Sequence, residues 1–321
     1  MHYDVVALGE LLVDFTPSGN SEQGNPLYEA NPGGAPCNVL AMLTKLGKKT
    51  GFIGKVGNDL HGRFLRQALQ DVGIDDVGIV IADARDTTLA FVALAPDGER
   101  DFAFVRKAGA DIALTEDEVS KSMIEHAKIF HFGSLSLTDE PARSATKRAV
   151  QYAKEAACLV TFDPNMRELL WDSMDTAKEQ MLWGCENCDV IKLAKEELFF
   201  LTDEIDLKAA ISVFRSKFPQ VKLIFVTNGK HGSHAYRGLK QASCSAFLDS
   251  NTVDTTGAGD TFLGCCLAFL LDKDIDSLTE NQLLDMLKRA NAAASLITTK
   301  KGALKAMPSE DDIAILLEKR I

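Results

Sequence analysis

The stretch Asp254-Thr255-Thr256-Gly257-Ala258-Gly259-Asp260-Thr261-Phe262 places polar turn-forming residues and two glycines directly before an apolar segment that ends at Leu271. The apolar segment predicts a buried helix, and the first backbone N–H groups of a helix have no partner within it. Glycines leave those N–H groups uncovered, so an anion can approach them closely. The sequence therefore predicts an anion-binding helix N-terminus at this point of the chain.

Asp260 falls in the first turn of this predicted helix and would face the same space. A carboxylate beside an anion site is unfavourable unless it has a task, and accepting a proton from an attacking hydroxyl is such a task. By itself, the pattern is equally compatible with a glycine turn in which Asp260 only caps the helix. The residues alone leave both interpretations open.

Short apolar segments rich in β-branched residues alternate with helix-length amphipathic segments through most of the chain. The strand-like segments are 5–9, 50–56, 129–132, 159–163, 190–193 and 223–227, and the helix-like segments are 35–46, 60–72, 140–156 and 207–218. This alternation predicts βαβ crossovers and a largely parallel sheet with helices on both faces.

Two segments, at about 11–31 and 87–106, interrupt the alternation. The first contains several turn-forming residues, and in the second Pro96-Asp97-Gly98 separates two strand-like runs. Asp-Gly between such runs is typical of a hairpin. A hairpin inserted into an α/β chain indicates a small β-layer apart from the main sheet, suited to cover a site at the sheet edge.

Composition excludes some classes of function. The net charge of −11 argues against nucleic-acid binding, which needs a basic surface, but it does not exclude one anionic ligand. The N-terminus lacks a signal-peptide pattern, and the longest apolar run is about half the length that a membrane span needs. Seven irregularly spaced cysteines suit reduced thiols, and Cys185 and Cys188 are interpreted as two ordinary ones. We therefore expect a cytoplasmic protein.

Two separated motifs carry a resemblance to a known family. Residues 254–260 resemble the D-T-x-G-A-G-D motif of the ribokinase-like (PfkB) carbohydrate kinases, and Pro32-Gly33-Gly34-Ala35-Pro36-Cys37-Asn38-Val39 is close to the G-G-A-P-A-N-V turn of fructokinases in that family. Residues 51–62 also look like the first-half pattern of the family. The resemblance implies one ribokinase-like domain over 1–321: a three-layer α/β/α fold with a mostly parallel central sheet and a small β-sheet lid.

The resemblance also implies a reaction, the transfer of a phosphoryl group from MgATP to a sugar hydroxyl. D-fructose is the expected sugar, and 2-keto-3-deoxygluconate kinase and ribokinase remain alternatives because sequence does not show pocket size. A non-catalytic sugar-binding regulator is an alternative of another class, against which the intact Asp260 and both glycines argue. A nicotinamide dehydrogenase is disfavoured because Gly9-Glu10-Leu11 does not fit G-x-G-x-x-G.

The same resemblance assigns site residues one by one. Asp260 corresponds to the catalytic base, with Gly257, Ala258 and Gly259 as the anion hole. Sugar and phosphate contacts are expected from Asp14, Gly33, Gly34, Asn38, Phe104, Arg106, Asn165 and Arg167; nucleotide contacts from Lys192, Glu197, Thr227, Gly229, Gly232 and Asn291; and a monovalent-cation site, suited to potassium, from Asp254, Thr256 and Gly302.

Simpler interpretations remain for several of these residues: a strand-end cap for Asp14, a solvated surface side chain for Arg106 and a packing residue for Asn291. The family often has N-x-x-E after a mid-chain strand, and this chain has Ala194 in the Asn position with Glu197 retained. No direct magnesium ligand is therefore assigned. An inserted β-layer has unpaired edges that a partner often covers, so a homodimer through the lids is expected.

Overall fold

The computed structural model describes residues 2–94, 100–249 and 251–319. Its strands are β1 (Tyr3–Leu8), β2 (Leu12–Asn20), β3 (Pro26–Gly33), β4 (Thr50–Gly57), β5 (Asp75–Ala82), β6 (Leu89–Leu94), β7 (Arg100–Val105), β8 (Ala127–Gly133), β9 (Leu159–Asp163), β10 (Val190–Ala194), β11 (Leu223–Thr227), β12 (Ser233–Arg237) and β13 (Lys240–Cys244). Its α-helices are α1 (Ala35–Lys45), α2 (Leu60–Val72), α3 (Lys121–Glu125), α4 (Ala142–Glu155), α5 (Met174–Glu186), α6 (Lys195–Thr202), α7 (Leu207–Lys217), α8 (Ala258–Leu270), α9 (Glu280–Ile297) and α10 (Glu310–Glu318).

The main sheet has the strand order β13-β12-β11-β10-β9-β8-β1-β4-β5. Its strands from β11 to β5 pair in parallel, and β12 and β13 continue the sheet as an antiparallel hairpin. The carboxyl ends of the parallel strands therefore meet at one edge, where ligands of open α/β sheets bind.

Alternation along β1 explains the three layers. Val5 and Ala7 on β1 belong to one buried cluster, which includes side chains of α1, α8 and α9. Val6 and Leu8 belong to a second cluster on the opposite face, packed with α4, α5 and α7. A strand covered on both faces must be apolar at consecutive positions, as these four are. The predicted three-layer α/β arrangement with a mostly parallel sheet is confirmed.

Four strands form a second sheet in the order β3-β2-β6-β7, here called the small sheet. β2 and β6 pair in parallel, whereas the β2–β3 and β6–β7 pairs are antiparallel. These strands fall in the two segments that interrupt the alternation, although β3 runs on to Gly33. The predicted hairpin turn Pro96-Asp97-Gly98 lies outside the described residues.

Two findings bear on the expectations from composition. In the portion of the chain that the structure describes, no helix combines the length and the apolar character needed to cross a membrane. All seven cysteines are free, and the Cys188 thiol donates a hydrogen bond to the backbone carbonyl of Cys185 at 3.6 Å. Both thiols are buried and burial raises the pKa of each, as is usual for ordinary structural cysteines.

Candidate active site

A cavity of about 440 Å³ lies between the small sheet and the carboxyl edge of the main sheet. It is lined by the small sheet, the carboxyl edge of the main sheet, the start of α1, the segment that leads into α8 and the loop after α9. The lining residues include Leu12, Asp14, Thr16, Asn31, Val92 and Phe104 from the small sheet, Glu10, Leu135, Asn165, Arg167 and Lys192 from the carboxyl edge, Ala35 and Asn38 from α1, residues 254–260 around the start of α8, and Gly302 and Ala303 after α9.

The N-terminus of α8 is open because of its glycines. Gly257 occupies the N-cap position with φ 76°, in the left-handed region that side chains disfavour, and no side chain caps the helix. A Cβ at Gly257 would lie 2.7 Å from the Cβ of Ala303, and one at Gly259 would lie 2.9 Å from Nζ of Lys192. The start of α8 therefore lines the cavity without a capping side chain, although the N–H of Ala258 donates to the backbone oxygen of Thr255 at 3.3 Å. Asp260 is not the N-cap.

Asp260 is held by two amide side chains from distant parts of the chain. Nδ2 of Asn38, on α1, donates to Oδ2 of Asp260 at 2.8 Å, and Nδ2 of Asn165, after β9, donates to Oδ1 at 3.3 Å. The carboxyl group is 6% exposed. Two amides thus fix the orientation of this carboxylate beside the helix N-terminus.

The surroundings of Asp260 raise its pKa to about 6. Burial is the largest cause, and the negative charge of Asp163 adds to it, while the positive charge of Lys192 and the bond from Asn38 lower the pKa. A carboxyl group with such a pKa is a stronger base than an exposed aspartate and is still ionised at neutral pH, as a general base requires.

Lys192 and Asp163 form a buried ion pair directly beside Gly259. Nζ of Lys192 lies 2.9 and 3.2 Å from the carboxylate oxygens of Asp163. Burial by itself lowers the pKa of Lys192, but Asp163, with Glu197 and Asp260, raises it above the ordinary value. A permanent positive charge therefore lies next to the N-terminal turn of α8. Sequence reasoning assigned no role to Asp163, although an acidic residue ending a buried strand at the carboxyl edge is a usable signal.

On the opposite wall, Asp14 projects from β2 beside the glycine turn. A Cβ at Gly33 would lie 2.2 Å from Oδ2 of Asp14, and one at Gly34, where φ is 127°, would lie 2.3 Å from the backbone oxygen of Glu10. Burial raises the pKa of Asp14 to about 7, with smaller contributions from nearby carboxylates. The turn and the carboxylate fit together only because positions 33 and 34 carry no side chain.

Asn165 and Arg167 lie at the cavity wall opposite the small sheet. Asn165 adopts a left-handed conformation with φ 45°, and Nη1 of Arg167 donates to its Oδ1 at 2.7 Å. The positive charge of Arg167 lowers the pKa of both Asp14 and Asp260. The structure thus brings both residues next to the two carboxylates, and it places Phe104 of β7 in the cavity lining as well.

Arg106 is buried on the main-domain side of the small sheet. It is only 5% exposed, so the solvated surface side chain considered from sequence is wrong, and because it does not line the cavity, its contact with the sugar or its phosphate stays a prediction. Its Nε donates to Oδ2 of Asp111 at 2.8 Å, Nη1 to Oγ1 of Thr138 at 2.9 Å, and Nη2 to the backbone oxygen of Leu135 at 2.8 Å. All three nitrogens of the guanidinium thus have partners within the protein.

Glu197, which is expected from sequence to contact the nucleotide, has two hydrogen-bond partners within the protein. Its carboxylate accepts hydrogen bonds from the backbone N–H of Met166 at 2.8 Å and of Ala194 at 2.7 Å. Burial raises its pKa, and the charge of Lys192 opposes that shift. Glu197 therefore joins the β9 loop to the start of α6 and lies outside the cavity lining.

The remaining residues expected at the nucleotide lie at or beyond the end of β11, outside this cavity. Oγ1 of Thr227 donates to the backbone oxygen of Leu193 at 3.4 Å, and Gly229 and Gly232 adopt positive φ in the following turn. The Asn291 amide accepts from Ser233 at 2.9 Å and donates to the backbone oxygen at the end of β13 at 3.1 Å. Asn291 thus links α9 to the β12–β13 hairpin.

The three residues expected at a monovalent cation do lie together. Oδ1 of Asp254 accepts from the N–H of Thr256 at 2.9 Å, and Oδ2 accepts from the N–H of Gly302 at 3.2 Å. Asp254 thereby connects the loop before α8 to the loop after α9. The two loops enclose one side of the cavity floor.

Glu10 is a lining residue that sequence reasoning did not assign. It follows β1, is 3% exposed, and its Oε1 accepts from the N–H of Ala35 at 2.8 Å. Its Oε2 is buried with no hydrogen-bond partner, and burial raises the pKa of the carboxyl group to about 7. An acidic residue directly after the first buried strand was the available signal.

Comparison with known proteins shows which family the chain resembles along its length. The model of the pfkB family carbohydrate kinases matches residues 3–310. Fructokinase-1 of Zea mays is 42% identical over 320 residues, which cover 98% of each chain. A fructokinase structure with bound ATP from Xylella fastidiosa is similar with a TM-score of 0.90 and 28% identity over 99% of both chains. A fructokinase double mutant from Vibrio cholerae O395, with fructose, ADP and a potassium ion bound, gives a TM-score of 0.88 and 31% identity over 98% of this chain and 99% of its own.

Proposed function

The chain belongs to the pfkB family of carbohydrate kinases and is a sugar phosphotransferase, and we propose that it converts ATP and D-fructose to ADP and D-fructose 6-phosphate. One observation carries the mechanism: the oriented carboxylate of Asp260 lies in the same cavity as the uncovered N-terminus of α8 and the ammonium group of Lys192. A base, an anion hole and a positive charge thus face one space.

In the proposed reaction, Asp260 accepts the proton of the sugar hydroxyl as its oxygen attacks phosphorus. Asn38 and Asn165 hold the carboxylate through both oxygens, and Asp260 lines the cavity. A positioned base of this kind contributes roughly 10²–10⁴ to the rate. The proton remains on Asp260 until the product leaves.

The transferring phosphoryl group carries negative charge on its outer oxygens, and this charge must be balanced in the transition state. We assign that task to the N–H groups at Gly257, Ala258 and Gly259 together with Lys192. Asp163 holds the ammonium group in place through two short contacts, so little reorganisation is required when the charge develops.

Magnesium fits this site only as a companion of the nucleotide. Among the described residues, no group of three or more His, Cys, Asp or Glu side chains is arranged to hold a metal ion. Asp163 is paired with Lys192, and Glu197 accepts two backbone N–H groups. Mg²⁺ usually keeps several waters and binds substrate phosphates, where it would neutralise part of their charge.

For a monovalent cation, the proposed residues remain Asp254, Thr256 and Gly302. Asp254 is 9% exposed and supplies a negative charge. Its carboxylate accepts hydrogen bonds from the loop before α8 and from the loop after α9. A cation here would strengthen the positive field at the neighbouring N-terminus of α8. The potassium ion in the Vibrio cholerae fructokinase structure supports the choice of ion.

On the sugar side, we propose that Asp14 and the turn at Gly33 and Gly34 bind sugar hydroxyl groups. A carboxylate accepts two hydrogen bonds at once and suits vicinal hydroxyls, and the glycines let the backbone approach the ring. The small sheet would act as a lid over the sugar within one kinase domain spanning 1–321. The similarity to fructokinases over nearly the whole chain favours fructose among the sugars of the family.

Two further parts of the proposal concern the state of the protein. We propose a homodimer through the small sheets, supported by the exposed Leu27, Tyr28 and Val105 on their strands. A cytoplasmic location is supported by the seven free cysteines, since oxidising compartments favour disulfides.

The test is a panel of sugars with ATP, read as ADP release. D-fructose should give the highest kcat/KM among fructose, ribose and 2-keto-3-deoxygluconate. If kcat/KM for ribose or for 2-keto-3-deoxygluconate equalled or exceeded that for fructose, we would assign that sugar as the substrate. No turnover of any sugar, with ATP still bound, would contradict the catalytic role.

A further inference from the structure

The β6–β7 hairpin of the small sheet joins the main domain at two roots, and one aspartate holds both. The hairpin departs after Thr88 and returns at Arg106. Oγ1 of Thr88 donates to Oδ1 of Asp111 at 2.5 Å, and Nε and Nη2 of Arg106 both lie 2.8 Å from Oδ2 of Asp111. One carboxylate therefore fixes the distance between the segment that enters the hairpin and the segment that leaves it.

The cluster of Thr88, Arg106 and Asp111 is also hydrogen-bonded to a segment that lines the cavity. Through Thr138 and the backbone oxygen of Leu135, Arg106 reaches the turn after β8, and Leu135 itself lines the cavity. Thr88, Arg106 and Asp111 are 1%, 5% and 6% exposed. The hairpin roots are thus connected by buried hydrogen bonds to a loop at the carboxyl edge of the main sheet.

Close packing leaves this cluster little freedom. A Cβ at Gly109 would lie 2.3 Å from Oγ1 of Thr88 and 2.7 Å from Oδ1 of Asp111. The backbone joins the roots as well, because the N–H of Ala110 donates to the oxygen of Asp86 at 2.8 Å. A small displacement of either root would therefore break several contacts together.

A second aspartate fixes the first root to α2. Asp59, the N-cap of α2, accepts hydrogen bonds from the backbone N–H and the hydroxyl of Thr87, each at 2.8 Å. Thr87 is thus tied to the main domain and its neighbour Thr88 to the returning strand. The segment before β6 is thus bonded to α2 through Asp59, and to the segment after β7 through Asp111. We call this connection between the hairpin and the main domain the hinge.

The β6–β7 hairpin, which the hinge connects to the main domain, forms part of the proposed sugar cavity. Val92 on β6 and Phe104 on β7 line the cavity, and Phe104 is two residues before Arg106. A buried ion pair is a weak source of net stability, because desolvation offsets most of its attraction. Its geometry, by contrast, is strongly directional, since the guanidinium fork bonds three partners in fixed directions.

We propose that Thr88, Arg106 and Asp111 form a hinge clasp that sets the position of the β6–β7 hairpin over the sugar, and that they act as positioning residues of the kinase reaction. None of the three lines the cavity. The inference rests on the proposed function in that a sugar occupies the cavity. It assigns Arg106 a role different from the direct sugar contact expected from sequence.

The experiment compares Thr88→Val and Asp111→Asn with the wild-type enzyme. Thr88→Val removes one hydroxyl at nearly constant volume and leaves the Arg106–Asp111 pair intact. The proposal therefore remains testable even if the Asp111→Asn protein does not fold. We expect kcat/KM for fructose to fall about 10-fold to 100-fold, mostly through KM, because small displacements near a substrate have effects of this size. Hydrogen exchange of β6 and β7 in the free enzyme should accelerate, while the main sheet stays protected.

The matched control is Thr50→Val, a buried threonine at the amino end of β4 whose hydroxyl bonds Thr44 at 2.6 Å. It should leave exchange of the hairpin and KM for fructose unchanged. The proposal would be overturned if both clasp variants kept the wild-type KM for fructose and the wild-type rate of hydrogen exchange in the hairpin. It would also be overturned if hydrogen exchange accelerated throughout the main sheet and kcat and KM changed to the same extent. Exchange in the free enzyme does not depend on the sugar, so a failure of the fructose assignment remains distinguishable from a failure of the clasp.

Discussion

Nδ2 of Asn38 donates to Oδ2 of Asp260 at 2.8 Å, joining two residues 222 positions apart in the chain. Asn38 belongs to the helix that follows the glycine turn at Gly33 and Gly34, and Asp260 belongs to the first turn of α8. The bond therefore couples the wall that would bind sugar to the group that would take its proton. It also lowers the pKa of Asp260 against the effect of burial.

Replacing Asp260 by Asn tests the general base directly. The amide has the same shape but cannot accept a proton, so kcat should fall by roughly 10²–10⁴ while ATP and fructose still bind. Steady-state rates and calorimetric titration measure the two effects. Asp203→Asn, at the exposed end of α6, is the control and should retain wild-type rates. Full activity in a folded Asp260→Asn protein would exclude the mechanism.

The pH profile follows from the two carboxylates of the cavity. Burial raises the pKa of Asp260 to about 6 and that of Asp14 to about 7, and both are expected to act in their ionised forms. As pH falls through this range each is protonated, so kcat/KM for the sugar should decline below about pH 7 and more steeply below about pH 6. Rates measured from pH 5 to 9 give the profile. Constant kcat/KM down to pH 5 would contradict it.

Gly257→Ala should damage the anion hole through both strain and contact. The left-handed conformation costs a residue with a Cβ about 1–2 kcal/mol, and the new Cβ would meet Ala303 at 2.7 Å. We expect a lower kcat and a lower thermal midpoint. Gly238→Ala separates the two effects, because Gly238 also has positive φ, 51°, but nothing lies within 4 Å of its Cβ position. It should lose stability alone; equal kcat losses in both variants would contradict the anion hole.

The main sheet was predictable because periodicity determines it. All six segments identified as buried strands are strands of the structure, from β1 to β11, since a strand covered on both faces must be continuously apolar. β12 and β13 were missed because they contain polar residues such as Ser233, Arg237 and Lys240, which interrupt an apolar pattern. Of the two, β13 is the edge strand. β5, at the other edge, begins with two aspartates that obscure its pattern.

Sequence located the parts of the site better than their partners. The glycine turn, Asp14, Asn38 and the start of α8 do meet at one cavity. The partners of Arg106 were not predicted, because sequence cannot show that Asp111, five residues on, turns back to pair with it. Nor can it show that the Glu197 carboxylate is satisfied by backbone N–H groups. Side-chain direction at a loop depends on tertiary packing that periodicity does not encode.

The proposed dimer gives a prediction about surface residues of the small sheet. Leu27 and Tyr28 lie on β3, an edge strand of that sheet, and are 46% and 45% exposed. Light scattering at micromolar concentration should show a dimer, and Leu27→Asp should shift it towards monomer by placing a charge in an apolar contact. Leu239→Asp, at an exposed turn outside the small sheet, should leave the dimer intact. A wild-type monomer would refute the assembly.

Glu10→Gln should stabilise the free enzyme in a pH-dependent way. Burial raises the pKa of Glu10 from its ordinary 4.5 to about 7, so the folded state holds this proton more tightly than the unfolded state does. Ionisation therefore opposes folding, and the stability associated with the protonated group is lost as pH rises from about 4.5 through about 7. A glutamine never ionises and avoids that loss.

The thermal midpoint of Glu10→Gln should consequently exceed that of the wild type by about 3–6 °C at pH 8 and by little at pH 4.5. Differential scanning calorimetry at the two pH values measures the difference. Glu125→Gln, on the surface of α3 and paired with Lys121 at 3.5 Å, is the matched control and should change the midpoint little at either pH. An equal gain at both pH values would mean that Glu10 is not held in a raised-pKa state, because only a group that ionises between them can make the difference depend on pH.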